Sequence, residues 1–90
     1  MPPLVWRAEA RDDLVAIITY IADRNLLAAE RLRAAIEHSA EQLPAHPYIH
    51  RSGRMAGTRE AVVHPNYIII YRVADAIEIL AVLHARQQYP

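Results

Sequence analysis

The chain has 90 residues, with ten arginines and ten acidic residues but no lysine and no cysteine, so its formal net charge is zero. This is the length of one domain, residues 1–90, and a hydrophobic content of 53% is ample for one core. The lack of cysteine excludes disulfides and thiol chemistry, and zero net charge argues against binding nucleic acid by charge alone. No segment approaches the ~20 apolar residues of a membrane span, so we expect a cytoplasmic protein that does not bind membranes.

The first half of the chain predicts a short strand followed by a helical hairpin. Leu4–Trp6 is a β-prone run that could add a strand to either edge of a sheet. Apolar residues recur at helical spacing in Ala8–Asp23 and again in Leu26–Leu43. Asn25 is a suitable N-cap for the second helix, and Pro44 ends it because the residue before proline is disfavoured in helical geometry.

A loop is predicted for Pro44–Gly57, because the segment holds two prolines and both glycines of the chain. His46 and His50 are four residues apart, but the prolines disfavour a helical metal-binding pair. No cysteine or nearby carboxylate completes a ligand set, so we expect neither a metal nor a cofactor. The loop also carries Arg51 and Arg54, and binding residues gather on loops.

Three antiparallel strands are predicted for the second half, over Thr58–Val63, Tyr67–Val73 and Ile77–Leu83. His64–Asn66 forms the first turn and Ala74–Ala76 closes a hairpin. The resulting order, β-α-α-β-β-β, predicts an α+β fold in which a helical hairpin packs on one face of a small antiparallel sheet.

Side-chain alternation assigns the two faces of the last strand. The apolar set is expected to face the core: Ile77, Ile79, Ala81 and Leu83. The other face is mixed and ends in a histidine: Glu78, Leu80, Val82 and His84. On the first helix, Asp12 and Asp13 are expected to lie on a solvated face.

Three stretches resemble the RelE/ParE superfamily of bacterial toxins: Gly57–Glu60, His64–Val73 and Val82–Arg86. With the order of elements, the resemblance covers nearly the whole chain. It implies the toxin of a type II toxin–antitoxin system, neutralised by a cognate antitoxin whose amphipathic or partly disordered segment wraps the toxin. Apolar grooves between the helices and the sheet edge are expected to accept an amphipathic helix or an added strand.

The superfamily implies two activities on one fold, so the residues must decide between them. One branch consists of ribosome-dependent mRNA endonucleases, and the ParE-like branch resembles inhibitors of DNA gyrase that trap cleaved DNA. Nucleases of the superfamily commonly place a basic residue after the tyrosine that opens the central strand, where this chain has Ile68. They also carry cations along the preceding strand, where this chain has Ala61, Val62 and Val63. These departures favour the ParE branch and a non-enzymatic gyrase inhibitor.

The polar residues of the second half supply the candidate site. If the chain is a metal-independent ribonuclease, the catalytic candidates are Arg59, His84 and Arg86. Candidates for contact with the target are Arg51, Arg54, Arg59, His84, Arg86 and Tyr89. Structural alternatives stay open at this point: His84 could cap the sheet through a hydrogen bond, and Arg59 could be a buried ion-pair partner.

The function expected from the sequence is that of a ParE-like toxin that poisons DNA gyrase. A ribosome-dependent mRNA endonuclease acting in the ribosomal A site is the first alternative. The second is an inactive relative that only binds its antitoxin and helps to repress the shared operon.

Overall fold

The computed structural model describes residues 1–87 and 89 and has two helices on one face of a five-stranded sheet. The elements are β1 (Leu4–Trp6), α1 (Ala8–Ala22), α2 (Leu26–Gln42), β2 (Arg51–Ser52), β3 (Thr58–His64), β4 (Tyr67–Val73) and β5 (Ile77–His84). The α+β architecture and the helical hairpin predicted from the sequence are confirmed.

The helix boundaries follow from local chemistry. Helix α1 begins after Arg7, whose backbone is extended. Helix α2 begins after Asn25, whose side-chain oxygen accepts a hydrogen bond from the Ala28 N–H at 3.0 Å, as an N-cap does. It ends at Gln42 with Leu43 as the C-cap, just before Pro44. Neither helix of the described chain is long and apolar enough to cross a membrane.

The sheet has the order β1-β5-β4-β3-β2 and is mixed. Strands β2 to β5 pair antiparallel, whereas β1 pairs parallel to β5, with Leu4 opposite Ile77. The prediction of a wholly antiparallel sheet is therefore wrong at this edge. The prediction of an uninterrupted loop after α2 is also wrong, because Arg51 and Ser52 form a short edge strand beside β3.

Strand β5 contains a register shift. Ile70 of β4 lies opposite Ala81, but the next residue, Tyr71, lies opposite Ile79, so Leu80 is an extra residue on β5. An extra residue of this kind is a β-bulge, which interrupts the alternation of side chains along the strand.

The bulge overturns part of the expected core face of β5. Ile77 and Ile79 are fully buried beneath the helices as predicted. Beyond the bulge, Val82 joins the core with 2% of its surface exposed, while Ala81 and Leu83 lie outside it. His84, two residues after Val82, consequently lies on the helix side of the sheet.

The core lies between the helices and the sheet. It is built from small residues where the elements approach closely and from branched or aromatic residues elsewhere. Its buried members are Ala10, Leu32, Ile36, Ala40, Leu43, Ala61, Ile69, Tyr71, Ile77, Ile79 and Val82. The apolar stripe predicted for α1 packs against this core through half-buried side chains: Leu14, Ile17, Ile18 and Ile21.

Candidate functional site

An open groove of about 300 Å³ lies between α1 and the end of the sheet. Helix α1 contributes one wall, and strands β4 and β5 with the residues after β5 contribute the other. The lining residues are Asp13, Ala16, Ile17, Tyr20, Tyr67, Val82, Leu83, His84 and Gln87. The groove exists because β1 ends at Trp6, which leaves the second half of β5 next to α1 rather than next to another strand.

Asp13 joins the two walls of the groove. Its carboxylate oxygen Oδ2 accepts a hydrogen bond from the Val82 N–H at 3.0 Å, two residues after the bulge at Leu80. The expected solvated position of Asp13 is therefore wrong: the side chain is half-buried and satisfies a strand backbone group. The sequence contained a signal for this position: Asp13 lies four residues before Ile17, and residues four apart lie on the same side of a helix.

Three rings form a row across β3, β4 and β5 beside this groove. The Tyr67 ring centroid lies 5.8 Å from that of His64 and 5.4 Å from that of His84. Each imidazole accepts a hydrogen bond from a backbone N–H of the turn that follows it. Nδ1 of His64 accepts from the Asn66 N–H at 3.0 Å, and Nδ1 of His84 accepts from the Arg86 N–H at 3.1 Å. In the neutral imidazoles, Nε2 therefore carries the hydrogen.

Arg59 lies on the helix-facing side of the sheet, at the end opposite the row of rings. Its guanidinium donates to the carbonyl oxygens of His50 at 2.8 Å and Tyr48 at 3.3 Å, and lies 4.9 Å from the Tyr48 ring centroid. Nearby, the buried Tyr71 hydroxyl donates to the Pro47 carbonyl at 2.7 Å. These contacts fasten the segment after α2 onto the sheet. Arg59 thus donates hydrogen bonds to backbone carbonyl oxygens and does not form the buried ion pair that the sequence left open.

Burial and the positive charge of Arg59 shift the pKa values of two neighbouring groups, His50 and Tyr71. Burial lowers the pKa of His50 below its ordinary value, and the Arg59 charge lowers it further. Burial raises the pKa of the Tyr71 hydroxyl, and the Arg59 charge opposes that shift. Both shifts favour the neutral form of the group.

An ion pair between an exposed arginine and a buried carboxylate lies on the face of the sheet opposite the helices. The Arg51 Nε atom is 2.8 Å from Oε1 of Glu60, and only 7% of the Glu60 side chain is exposed. Further along the chain, Arg54 donates to the Tyr89 carbonyl oxygen at 3.2 Å and lies 4.8 Å from the Tyr89 ring centroid. Two predicted target-contacting residues, Arg54 and Tyr89, are thus in contact with each other.

A second set of charges lies on the same face. Arg72 donates to both carboxylate oxygens of Glu78, at 3.0 and 2.9 Å, and Arg7 donates to one of them at 3.2 Å. The Arg72 hydrogen bond is the main cause that lowers the pKa of the Glu78 carboxyl. Arg72 interrupts an apolar strand without cost because its exposed side chain is both solvated and paired.

The candidate ribonuclease residues do not converge. Arg59 pairs opposite Tyr71 and His84 pairs opposite Tyr67, so their positions are separated by roughly 13 Å along β4 at the usual strand rise. Arg86 is exposed in the turn after His84, away from Arg59. Within residues 1–87 and 89, no three His, Cys, Asp or Glu side chains are placed to hold a metal ion.

The family model described as ParE toxin of type II toxin-antitoxin system, parDE, matches residues 4–89. The chain belongs to the ParE toxin family. It is 40% identical over 86 residues to the putative toxin Y4kP of Sinorhizobium fredii, covering 94% of this chain and 90% of that protein. It is 39% identical over 88 residues to toxin RelE2 of Caulobacter vibrioides, covering 94% and 97% of the two chains.

A solved structure shares the fold. A chain of the chromosomal ParDE TA system from P. aeruginosa superimposes with a TM-score of 0.83 at 22% identity, covering 93% of this chain and 96% of that one. The protein is therefore a toxin of a type II toxin–antitoxin system in the RelE/ParE superfamily, as the sequence motifs predicted. A toxin of this kind implies an antitoxin partner.

Proposed function

We propose that this toxin inhibits growth by poisoning DNA gyrase in the cytoplasm and that a cognate antitoxin neutralises it. Membership of the ParE toxin family supports this choice over the nuclease branch. The names of the two relatives do not decide the target, because one of them is called RelE2 and the other only a toxin. The decision therefore depends on the residues that each activity requires.

The proposal rests on the apolar character of the strand positions where the nuclease branch places its cations. Ile68 is only 5% exposed and lies opposite Val62, an exposed apolar residue of β3. Ala61 is buried in the core and Val63 packs against it. Metal-free RNA cleavage needs a base, an acid and cations that stabilise the phosphate in the transition state. These strand positions supply none of them.

The position of Arg59 supports the same choice. Its guanidinium already donates hydrogen bonds to the carbonyl oxygens of His50 and Tyr48. An mRNA phosphate would have to displace both hydrogen bonds and free the segment after α2. Arg86, by contrast, is exposed in the turn after β5 and is available for a protein target. We therefore assign Arg86 to target contact and Arg59 to the fold.

Induction of the toxin in growing cells tests the proposal. DNA synthesis is expected to fall first and the DNA-damage response to rise, while primer extension on a translated message reveals no new cuts. Codon-phased cuts that require this protein would overturn the proposal and favour the mRNA endonuclease, for which the RelE2 relative is the supporting observation. Unchanged growth, with intact antitoxin binding, would instead favour the inactive relative that acts only with its antitoxin at the operon.

A further inference from the structure

Residues 48–55, which join the end of the helical hairpin to the sheet, carry large apolar side chains in solvent. Ile49 has 71% of its surface exposed, its neighbour Tyr48 has 66%, and Met55 has 39%. Single exposed apolar residues are ordinary, but a group of them marks a contact with a partner. Tyrosine, methionine and arginine are also the residues enriched at protein–protein interfaces. The 48–55 segment therefore has the composition of an interaction surface.

Polar groups of the sheet hold the backbone at the start of this segment. The buried Tyr71 hydroxyl donates to the Pro47 carbonyl at 2.7 Å, and Arg59 donates to the carbonyls of Tyr48 and His50 at 3.3 and 2.8 Å. Three carbonyl oxygens within four residues are thus fixed, while the apolar side chains between them remain in solvent. Ordering a loop costs conformational entropy, and a loop that is ordered in advance does not lose this entropy on binding. The segment is therefore preorganised for a partner.

The charge of this part of the chain is positive. Residues 42–59 include three arginines but no aspartate or glutamate. The next residue, Glu60, pairs with Arg51 only. Among the described residues, no carboxylate pairs with Arg54 or Arg59. A partner that complements this surface therefore presents acidic side chains to it.

An open cavity of about 410 Å³ lies beside the exposed apolar side chains. Its walls include Tyr48, Met55 and the half-buried Arg59, and none of the described residues that line it is acidic. Binding energy at interfaces concentrates where a side chain of one protein fills a pocket of the other. The cavity suits an acidic side chain of the partner, because the charge of Arg59 lies in its wall.

The same segment adjoins the residues after β5. Arg54 donates to the Tyr89 carbonyl at 3.2 Å, and its guanidinium lies 4.8 Å from the Tyr89 ring centroid. Arg86, which we assign to target contact, precedes Tyr89 by three residues and so lies within about 11 Å of it. The two stretches can therefore contact one partner together.

We propose that the 48–55 segment is the surface through which this toxin docks on its protein target, and that the target presents an acidic patch to it. Tyr48 and Ile49 pack on apolar atoms of the target, and an acidic side chain of the target enters the cavity beside Met55. A protein fits these side chains better than nucleic acid does, because Ile49 and Met55 offer no charge to a phosphate. The inference rests on the proposed function, in which the target is the protein gyrase.

The test titrates the separately purified gyrase subunits with the toxin and three variants. Ile49→Glu replaces the apolar side chain by a carboxylate. Leu26→Glu is the matched control, because Leu26 is 63% exposed but begins α2, about 24 Å from the end of the helix that precedes the segment. Tyr71→Phe keeps the buried ring and removes the hydroxyl that holds Pro47. Each variant is also titrated with the antitoxin, unfolded thermally and induced in growing cells.

Ile49→Glu is expected to weaken gyrase binding about 100-fold, because an apolar contact is lost and a carboxylate meets an acidic patch. It is expected to abolish growth arrest at equal amounts of folded toxin. Leu26→Glu is expected to change binding by less than about twofold. Tyr71→Phe is expected to weaken binding about fivefold with a less favourable binding entropy, since the segment is then ordered only on binding.

Four results separate this inference from its alternatives. A folded Ile49→Glu toxin that binds gyrase and arrests growth like the wild type would overturn it and leave the gyrase proposal intact. If the wild-type toxin binds neither subunit, the gyrase proposal fails, and growth arrest by Ile49→Glu then decides on the segment: arrest overturns the inference and its loss supports it.

The other two results concern a different occupant. Binding of a short DNA duplex by the toxin alone, lost in Ile49→Glu, would overturn protein docking in favour of nucleic acid. Weaker antitoxin binding by Ile49→Glu with undiminished growth arrest would overturn target docking and assign the segment to the antitoxin.

Discussion

Arg59 donates from its guanidinium to the carbonyl oxygen of His50 at 2.8 Å, and this contact fastens the segment after α2 to strand β3. In a toxin of this superfamily, a cation at this position is a candidate for binding phosphate. The contact with His50 instead gives Arg59 a structural role, because the same guanidinium also donates to the Tyr48 carbonyl oxygen. The consequences of this arrangement can be measured separately from toxicity.

Replacing Arg59 by methionine keeps most of the aliphatic length and removes the donors. The free energy of unfolding is expected to fall by about 1–3 kcal/mol, because the partly buried His50 carbonyl and the exposed Tyr48 carbonyl lose a charged donor. Arg33→Met is the control: Arg33 pairs with Glu37 on the surface of α2, and its loss is expected to cost less than about 0.5 kcal/mol. Chemical denaturation of both variants checks this, and equal stabilities would contradict the structural role of Arg59.

The His50 environment predicts a pH dependence of stability. Burial and the Arg59 charge lower the pKa of His50 in the folded state, so the unfolded chain, with an ordinary value of 6.5, binds the proton more readily. The corresponding stability is present above about pH 6.5 and is lost as the pH falls through the folded-state pKa. The melting temperature should therefore fall between about pH 7 and pH 5, and it should fall less in His50→Gln.

Titration of the Glu78 carboxyl does not interfere with this measurement. Its pKa is lowered from an ordinary value of 4.5, so the stability it contributes is lost at a lower pH than that of His50. Equal pH dependence of the wild-type protein and His50→Gln would show that another group controls stability in this range.

Two exposed arginines in ion pairs should differ in their effect on stability. Arg51 pairs with Glu60, of whose side chain 7% is exposed, whereas Arg33 pairs with Glu37, of whose side chain 45% is exposed. Arg51→Ala leaves a buried carboxylate without its cation and should lower the free energy of unfolding by roughly 1–3 kcal/mol. Arg33→Ala should change it by less than about 0.5 kcal/mol. Denaturant titration compares them, and an equally small loss would mean that water reaches Glu60.

Arg86 should affect toxicity without affecting the fold. Its side chain is exposed in the turn after β5, and its backbone N–H donates to Nδ1 of His84. Arg86→Ala should keep the melting temperature and the antitoxin affinity and should reduce potency about tenfold, as the loss of one charged hydrogen bond does. Arg33→Ala serves as the matched surface arginine. A folded Arg86→Ala protein with wild-type potency would remove this residue from the target surface.

Most of the fold could be predicted because its signals are local. Asn25 and Pro44 bound α2, and the apolar run of Tyr67–Val73 identifies the central strand. The direction of β1 could not be read from three residues, since a β-prone run carries no information about its partner. A two-residue strand such as β2 is likewise too short to show a period.

The groove could not be predicted, because it depends on the bulge at Leu80. Strict alternation places Ala81 in the core and Val82 outside it, and one extra residue reverses this. The same shift brings His84 to the helix side and gives Asp13 a strand N–H to bind. Neither effect has a signal in the sequence of β5 alone, which contains no glycine or proline to mark the irregularity.

Purified components test most directly whether gyrase is the target. The toxin is added to DNA gyrase, ATP and relaxed plasmid, and the DNA products are separated with and without the antitoxin. We expect less supercoiled product and an accumulation of cleaved linear DNA, both reversed by the antitoxin and both weaker with Arg86→Ala. Undiminished supercoiling at excess toxin, from a preparation that cuts translated mRNA in phase with its codons, would contradict the claim.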